Sequence, residues 1–431
     1  VKLHKKMHDA RRIVDFPWQG PYKVCAAEER RRAICQNAYF FGFDPAGNQL
    51  PYVNKWVDYF AESREVAVFK HMQGETDFQS AGLDIQEFPL YKSNMTKGDY
   101  SVYMWPNPHG TNQAISFNQS YNVDPALGKL VRTTAFRQAL SYSVDREAIR
   151  DTYFIGVGRP TAGAPNPKDG FYPGDAVADK YSVTDLAKAK SMLDGLGLTD
   201  TDGDGIRNYA GGGHIVLWAQ IGVRVMPMWE LVVSDFNNVG IKLDIKEGSA
   251  HELMRTAKQP IGSGGMTMIN EYSMTSVGPC MASHGPHNCP LIAKYIATSG
   301  KQGHGPTPNS AYLPTAPAGA YPEDATGVIK KVQELWKTGK SNPPGSQIRL
   351  DAGKEINTLW MEQQFSIGTV QGASGDRDVY MKRNNFRNPP ILARARGFYG
   401  AWAETYYFED GTDNVNNPGN RSKKYKSTSF R

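Results

Sequence analysis

No apolar run in the 431-residue sequence approaches the ~20 residues that a membrane-spanning helix needs. The sequence therefore offers no candidate spanning segment. No secretion leader is visible either: the opening stretch, VKLHKKMHDARRIVD, is basic and polar throughout. If the protein is exported, the expectation is that its signal has been removed or lies upstream. Catalytic signatures are equally sparse. There is no G-x-S-x-G elbow, no H-E-x-x-H pair and no G-x-x-x-x-G-K-S/T phosphate loop. Those absences remove the motif arguments for catalysis, although a pair of carboxylates leaves no regular trace.

An excess of one charge is missing too. The 49 Lys and Arg oppose 43 Asp and Glu, for a net +6. The basic residues are scattered, with clusters at Arg30-Arg31-Arg32 and Lys423-Lys424. A nucleic-acid binder concentrates them on one stripe with aromatics between, so both clusters read as solvated surface. Cysteine is scarce, at four residues, in two close pairs: Cys25 with Cys35 and Cys280 with Cys289. Such pairs suit two local disulfides in an oxidising compartment, each adding about 2–3 kcal/mol. Four reduced, buried thiols are the alternative.

What is present is the composition of a soluble globular protein, 40% hydrophobic and 21% charged. The length exceeds one ordinary core, which predicts two lobes. Residues 16–24 read as a turn and a strand, and Trp56–Phe60 as another strand. Arg64–His71 follows helical spacing, with Val66, Phe69 and Lys70 on one face and Gly74 as the stop. Ala114–Asn118 is a short apolar strand. Thr133 or Thr134 caps a helix carrying Phe136, Ala139, Leu140 and Ser143, and Asp145 caps a second one running to about Phe154. Further helices are expected at Lys180–Leu193, Pro227–Val239, Asp324–Trp336 and Ile348–Gln364. Strands are expected at Ile215–Gln220, Ile241–Ile245 and Phe365–Val370. Residues 299–322, rich in Gly, Pro and Ser, read as a long irregular loop. Helix alternating with strand is the pattern of α/β layers, and no internal repeat is visible.

Several segments together resemble one family. They are GPYKV (20–24), YFFGFDPAGNQLPYV (39–53), ESREVAVFKHMQGETDFQ (62–79), AFRQALSYSVDREAIRDTYFIGVGRP (135–160), DTDGDGIRN (200–208), EINTLWMEQQFSIGTVQ (355–371) and FRNPP (386–390). Occurring in the same order, they resemble the peptide/nickel family of bacterial ABC-transporter solute-binding proteins, family 5. The resemblance implies an α/β, two-lobe periplasmic-binding-protein-like fold of class II type, in the large peptide-binding subgroup. It implies lobe one over residues 1–122, lobe two over 123–366 and a return to lobe one over 367–431. Crossings are expected near Ser116–Asn122 and Ile367–Gln371. Relatives carry well over a hundred residues before the GPYKV strand, so the N-terminal part of lobe one is expected to be absent here.

The resemblance further implies a receptor rather than an enzyme. It would capture an oligopeptide-like solute between lobes and deliver it to ABC permease membrane subunits. It would be monomeric, periplasmic or extracytoplasmic, with membrane association open, and would bind no nucleic acid. An oligosaccharide is the alternative ligand. The rivals from other classes are a secreted carbohydrate-active hydrolase and a scaffold protein that keeps the fold.

Candidate site residues follow from the same reading. Peptide-binding relatives place an Asp after a lobe-two strand, where it holds the peptide's ammonium group. Here SGGMTMINEYSMTSVGP (263–279) lacks an Asp, and Glu271, flanked by Asn270 and Tyr272, is expected to substitute. A solvated turn is the plain alternative. Asn118, Trp218, Tyr399 and Trp402 complete the expected ligand-binding set, while Trp229 also lies in a segment able to face a cleft. No cofactor is expected apart from a structural calcium. Asp200, Asp202 and Asp204 resemble the first half of a calcium loop, but Gly211 stands where a bidentate Glu belongs, and Asx turns explain the same string. Cys280, His284, His287 and Cys289 offer zinc ligands, against a disulfide with exposed histidines.

Overall fold

A computed structural model describes residues 14, 18–80, 82–104, 110, 111, 113–117, 124–221, 225–247, 266–269, 327–372, 379–389 and 403–409. The strands are β1 (Tyr22–Ala27), β2 (Arg31–Gln36), β3 (Lys55–Tyr59), β4 (Phe78–Gln79), β5 (Tyr100–Met104), β6 (Ala114–Phe117), β7 (Arg159–Pro160), β8 (Val216–Ile221), β9 (Lys242–Glu247), β10 (Met266–Ile269), β11 (Ser366–Gly368), β12 (Val370–Gln371), β13 (Val379–Arg383), β14 (Phe386–Arg387) and β15 (Tyr407–Phe408). The helices used below are α1 (Arg64–Met72), α2 (Pro125–Arg132), α3 (Thr134–Ser143), α4 (Arg146–Thr152), α5 (Leu186–Gly195), α6 (Met226–Asn237), α7 (Val328–Ser341) and α8 (Gln347–Gln363). The chain forms two compact units, residues 1–106 with 374–431, and residues 107–373. The expected lobe boundaries, 122/123 and 366/367, both fall within the residue range of the second unit.

The first unit contains an antiparallel meander, β1-β2-β3. A register shift between Val24 and Ala26 leaves Cys25 as the extra residue of a bulge. The bulge turns Cys25 toward Cys35, and the two form a disulfide across a Cα–Cα distance of 5.7 Å. The second cysteine pair lies outside the described residues. The arginine cluster falls at the start of β2. Each member has an acid: Arg30 with Glu62, Arg31 with Glu28 and Arg32 with Asp58. This is the solvated surface that the scattered charge predicts.

A second sheet, β4-β13-β5, carries the unit's core on both faces. Val379 and Met381 point to one side, where Leu83, Tyr91, Tyr100 and Val102 join them. Tyr380 points to the other, stacked on Tyr103 at 4.9 Å and tilted against Phe78. Phe78 in turn meets Trp56, Phe386 and Tyr406. Helix α1 forms where expected, with Ser63 accepting a cap hydrogen bond from the Val66 amide. Its apolar face is not the expected one. Val66 and Phe69 are 39% and 55% exposed, and Val68 and Met72 pack on the core instead. Gly74 stops the helix at φ +73°, pressed so close to Gly98 that a Cβ would meet its carbonyl.

In the second unit, β6 is the middle strand of a β10-β6-β11 sheet. Its Ala114, Ile115 and Phe117 are buried, as a strand covered on both faces should be. Helix α3 buries Phe136, Ala139, Leu140 and Ser143, the face its periodicity predicts. Asp145 caps α4 by accepting from the Ala148 amide at 3.0 Å. Asp185 caps α5 in the same way through the Lys188 amide, and so starts that helix at Leu186 rather than Lys180. Strands β8 and β9 pair in parallel on either side of α6 in sequence. That helix buries Met228, Trp229, Val232 and Phe236, so Trp229 is core. Helices α7 and α8 close the unit, with Gly353 of α8 allowing Phe171 to seat against its backbone.

Removing the Cys25–Cys35 bridge by the double change Cys25→Ser, Cys35→Ser should lower the stability of the first unit by about 2–3 kcal/mol. Chemical unfolding followed through a tryptophan of that unit measures the loss. A loss below about 0.5 kcal/mol would mean that the bulge, not the bond, holds the hairpin.

Candidate functional site

Register decides which expected residues can share a site. Strand β6 is antiparallel to both neighbours: Ile269 and Gly368 each lie opposite Ala114, while Met266 lies opposite Phe117. The carboxyl ends of β10 and β11 therefore coincide, at the amino end of β6. Carboxyl ends of strands are where α/β sheets place ligands. The chain leaves β10 there, at Ile269, toward Asn270, Glu271 and Tyr272. It leaves β6 toward Asn118 at the opposite end of the sheet. Asn118, Asn270, Glu271, Tyr272, Tyr399 and Trp402 lie outside the described residues, as do Cys280, His284, His287 and Cys289. Trp218 sits in β8, opposite Asp244 of β9.

Around this sheet end several buried polar groups are hydrogen-bonded to one another. The Thr111 hydroxyl donates to the Gln113 carbonyl at 2.8 Å and accepts from the Thr369 amide at 2.9 Å. The Thr369 hydroxyl donates to that same carbonyl at 3.0 Å. Gln371 donates through Nε2 to the Ala164 carbonyl at 2.9 Å and, more weakly, to that of Gly110 at 3.4 Å. Backbone approaches are tight enough to require glycine. A Cβ on Gly110 would lie 2.7 Å from the carbonyl oxygens of Gly163 and Ala164, and one on Gly368 would lie 2.7 Å from the Gly163 amide nitrogen. Sequence reasoning marked 367–371 as a crossing but missed Thr111, Gln113 and Thr161. Thr161, among small residues (RPTAGAP), offered a signal in a hydroxyl needing a buried partner, whereas 105–113 (WPNPHGTNQ) is polar and rich in turn formers and offered none.

Behind them lies Arg146, fully buried. Its guanidinium donates to the carbonyls of Thr161 (3.1 Å), Gly368 (3.0 Å) and Ser141 (2.8 Å), and to the Ser141 hydroxyl. Burial pulls this guanidinium down to about 9, opposed by the charge of Asp235, so it stays protonated at neutral pH. Burial likewise pushes Asp235, which accepts from the Asp145 amide at 2.9 Å, up to about 6.

The acidic loop is held by hydrogen bonds to its own backbone. Asp200 turns both oxygens inward, accepting from the amides of Gly203 (2.7 Å) and Gly205 (2.9 Å). Asp204 accepts from the Ile206 amide. Asp202 and Asp204 instead converge on His214, whose Nε2 lies 2.9 Å and 3.4 Å from their carboxylates. Asp202, Asp204 and His214, all exposed, offer three ligand atoms within 4.8 Å of one another, where calcium takes roughly six to eight oxygens, and Asp200 and Asp204 make Asx turns. The rest of the motif is a brace. Arg207 donates to the Val239 carbonyl at 2.7 Å and to Asp194, and Asn208 accepts from the Thr201 amide at 2.9 Å.

His214 is held above its ordinary value of about 6.5, chiefly by the hydrogen bond to Asp202 and then by the charges of Asp204 and Asp200. The pair's contribution to stability is full below about pH 6.5 and is lost as the pH rises through that higher midpoint. NMR titration should find the His214 midpoint above 6.5 and, in Asp202→Asn, back near it. An unchanged midpoint in the variant would show that the hydrogen bond is not made in solution.

With this geometry in view, comparison with known proteins assigns the family. A family profile described as bacterial extracellular solute-binding proteins, family 5 Middle, matches residues 11–281. The periplasmic α-galactoside-binding protein of Rhizobium meliloti (strain 1021) is 26% identical over 223 residues, 47% of this chain and 29% of that protein. A probable ABC transporter-binding protein of Deinococcus radiodurans is 29% identical over 195 residues, 43% of this chain and 32% of its own length. The chain thus spans about a third of the curated relatives it matches. In solved structures the fold is similar to MelB of Agrobacterium fabrum C58 in complex with stachyose, at TM-score 0.69 and 19% identity, covering 91% of this chain and 57% of that one. It is also similar to an oligopeptide-binding protein, OppA, at TM-score 0.60 and 22% identity, covering 94% and 65%. The two-lobe α/β architecture read from the ordered motifs is the architecture of these neighbours, and the profile match over more than half of the chain makes the protein a member of the bacterial extracellular solute-binding proteins, family 5.

Proposed function

We propose that the protein is the solute-capturing receptor of an ABC importer, acting outside the cytoplasm and handing its cargo to a membrane permease. The observation that carries this reading is the family match over residues 11–281, together with a chain that passes twice between two compact units. Two passages allow one unit to swing on the other by adjusting a few residues, the usual way such receptors close on a ligand. No catalytic step is part of the proposal. No described helix is long and apolar enough to cross a membrane.

The cargo we propose is an oligopeptide-like solute, with Glu271 after β10 taking its ammonium group by charge-assisted hydrogen bonds. An oligosaccharide is the second reading. The relatives named for α-galactoside and seen with stachyose favour it, and so does the missing Asp in 263–279. Flat aromatic rings such as Trp218 and Trp402 would then face sugar rings.

Mass spectrometry of small molecules released from the purified, denatured protein tests the receptor reading, with a retained peptide or oligosaccharide expected. Calorimetry then separates the two cargoes. For a peptide, Glu271→Gln should cost on the order of 1.5–3 kcal/mol, about tenfold to a hundredfold in affinity. For a sugar the amide should be tolerated, since it still offers hydrogen bonds, and Trp402→Ala should hurt more. If both variants bind like the parent, the pocket does not lie where β10 ends.

A further inference from the structure

The outer face of the β1-β2-β3 meander carries a disulfide set between two lysines. Residues directly opposite one another on neighbouring strands project from the same face. Cys35, on the central strand, lies opposite Lys23 of β1 and opposite Lys55 of β3. Two ammonium groups therefore flank its sulfur, one from each side. The next positions on that face, Ala26, Ala33 and Val57, are uncharged, and Glu28 and Asp58 are paired with Arg31 and Arg32. The opposite face is the one that meets the core: there Trp56, opposite Ile34, packs on Phe78, Phe386 and Tyr406. Both cysteines are half-buried rather than enclosed, and Lys23 is exposed. The two sulfurs are not equivalent. Cys35 is held in both ladders, whereas Cys25 is the bulged residue and has no partner in the register.

We propose that this disulfide is a site of reversible S-thiolation, taking a small anionic thiol on Cys25 with Cys35 as the leaving group. An incoming thiolate attacks the Cys25 Sγ. A new sulfur–sulfur bond forms there as the Cys25–Cys35 bond breaks, and the electron pair leaves on the Cys35 Sγ. The incoming sulfur is oxidised to the disulfide level, Cys35 is reduced to a thiolate, and no other oxidant or reductant is consumed. Exchange is faster when the leaving thiolate is stabilised, and Lys23 and Lys55 are placed to stabilise it. The bulge supplies the other requirement: Cys25, outside the ladder register, can carry an adduct without breaking strand pairing. In the reverse step the Cys35 thiolate attacks Cys25 and expels the thiol, which restores the bridge when free thiol is scarce. A carboxylate on the thiol adds attraction for the same two ammonium groups. The inference rests on the hairpin alone and stands whether or not the receptor reading does.

Glutathione, which carries a net negative charge, is the probe. It is added to the whole native protein, with iodoacetamide trapping the thiolate that is released. The arginines at 30–32 let trypsin separate Cys25 from Cys35, so mass spectrometry reads each sulfur by itself. Glutathione is expected on Cys25 and the alkyl group on Cys35, about tenfold over the reverse arrangement. The double change Lys23→Gln, Lys55→Gln should slow the exchange about threefold to tenfold at low salt, a difference that shrinks at about 1 M salt. Cysteamine, a cationic thiol, should react several-fold more slowly than glutathione with the parent, rates being compared per thiolate. With the double variant the two thiols should react alike. Four results would each overturn the proposal: glutathione on Cys35, no adduct on the native protein, a double variant that exchanges at the parent rate, or a parent that takes cysteamine as fast as glutathione. Should the double variant fail to fold, the position of the adduct and the charge preference of the parent decide the matter.

Discussion

A charge taken wholly out of water must be given partners on every side, and in the second unit that charge is the guanidinium of Arg146. Its donors reach the end of α3 at Ser141, the Thr161 carbonyl next to β7 and the Gly368 carbonyl of β11. Helix layer and strand layer therefore cannot separate without stranding a buried cation, which costs several kcal/mol. Carbonyls are adequate partners because the charge is delocalised over five donors in a fixed fork. Arg137, one helical face away, repeats the device. It donates to the carbonyls of Gln363 and Val131 while lying 4.9 Å over the Phe365 ring. Two arginines thus pin α3 to the segment 363–368, which also holds β11, the partner of β6.

Much of this was legible from sequence, and the legible part has a common physical cause. Where one residue settles a backbone hydrogen bond locally, the reading held. Asp145 at the start of α4, Gly74 and Gly240 at positive φ after helices, and the periodic burial of Phe136, Ala139 and Leu140 are all of this kind. Where the partner is remote, it slipped. Val66 and Phe69 are spaced like a buried face, yet the side of α1 that meets the core is chosen by Leu83 and Tyr91, which no local pattern reveals. Strand β13 was missed because VYMKR has no clean alternation of apolar and polar residues. It is buried on both faces, and even Lys382 is sequestered, with its ammonium donating to the Phe386 carbonyl.

The acidic motif shows the same division at the level of chemistry. Alternating Asp and Gly specify tight turns and a cation loop equally well, because both use carboxylates bent back toward the chain. Here Asp200 accepts from the Gly203 and Gly205 amides, and Arg207 and Asn208 anchor the turn to Val239, Asp194 and Thr201. His214 enters only through the strand-like bridge to Asn208, a pairing that spacing does not announce.

Fold and cargo are written in different residues for a thermodynamic reason. The residues that identify the family occupy caps, close glycine approaches and the buried arginines. Most alternatives there break a hydrogen bond or force backbone apart, at costs that consume a large share of a domain's stability. Exchanges there are the costliest to the fold, and a fold similar to that of the solved neighbours is kept at 19–22% identity. A solute pocket has the opposite constraint. Its side chains leave strand ends into loops that carry little of the core, so exchanging an acid for an amide or a ring changes what is bound and barely changes whether the protein folds. A scaffold such as that around Arg146 can therefore carry pockets of different chemistry.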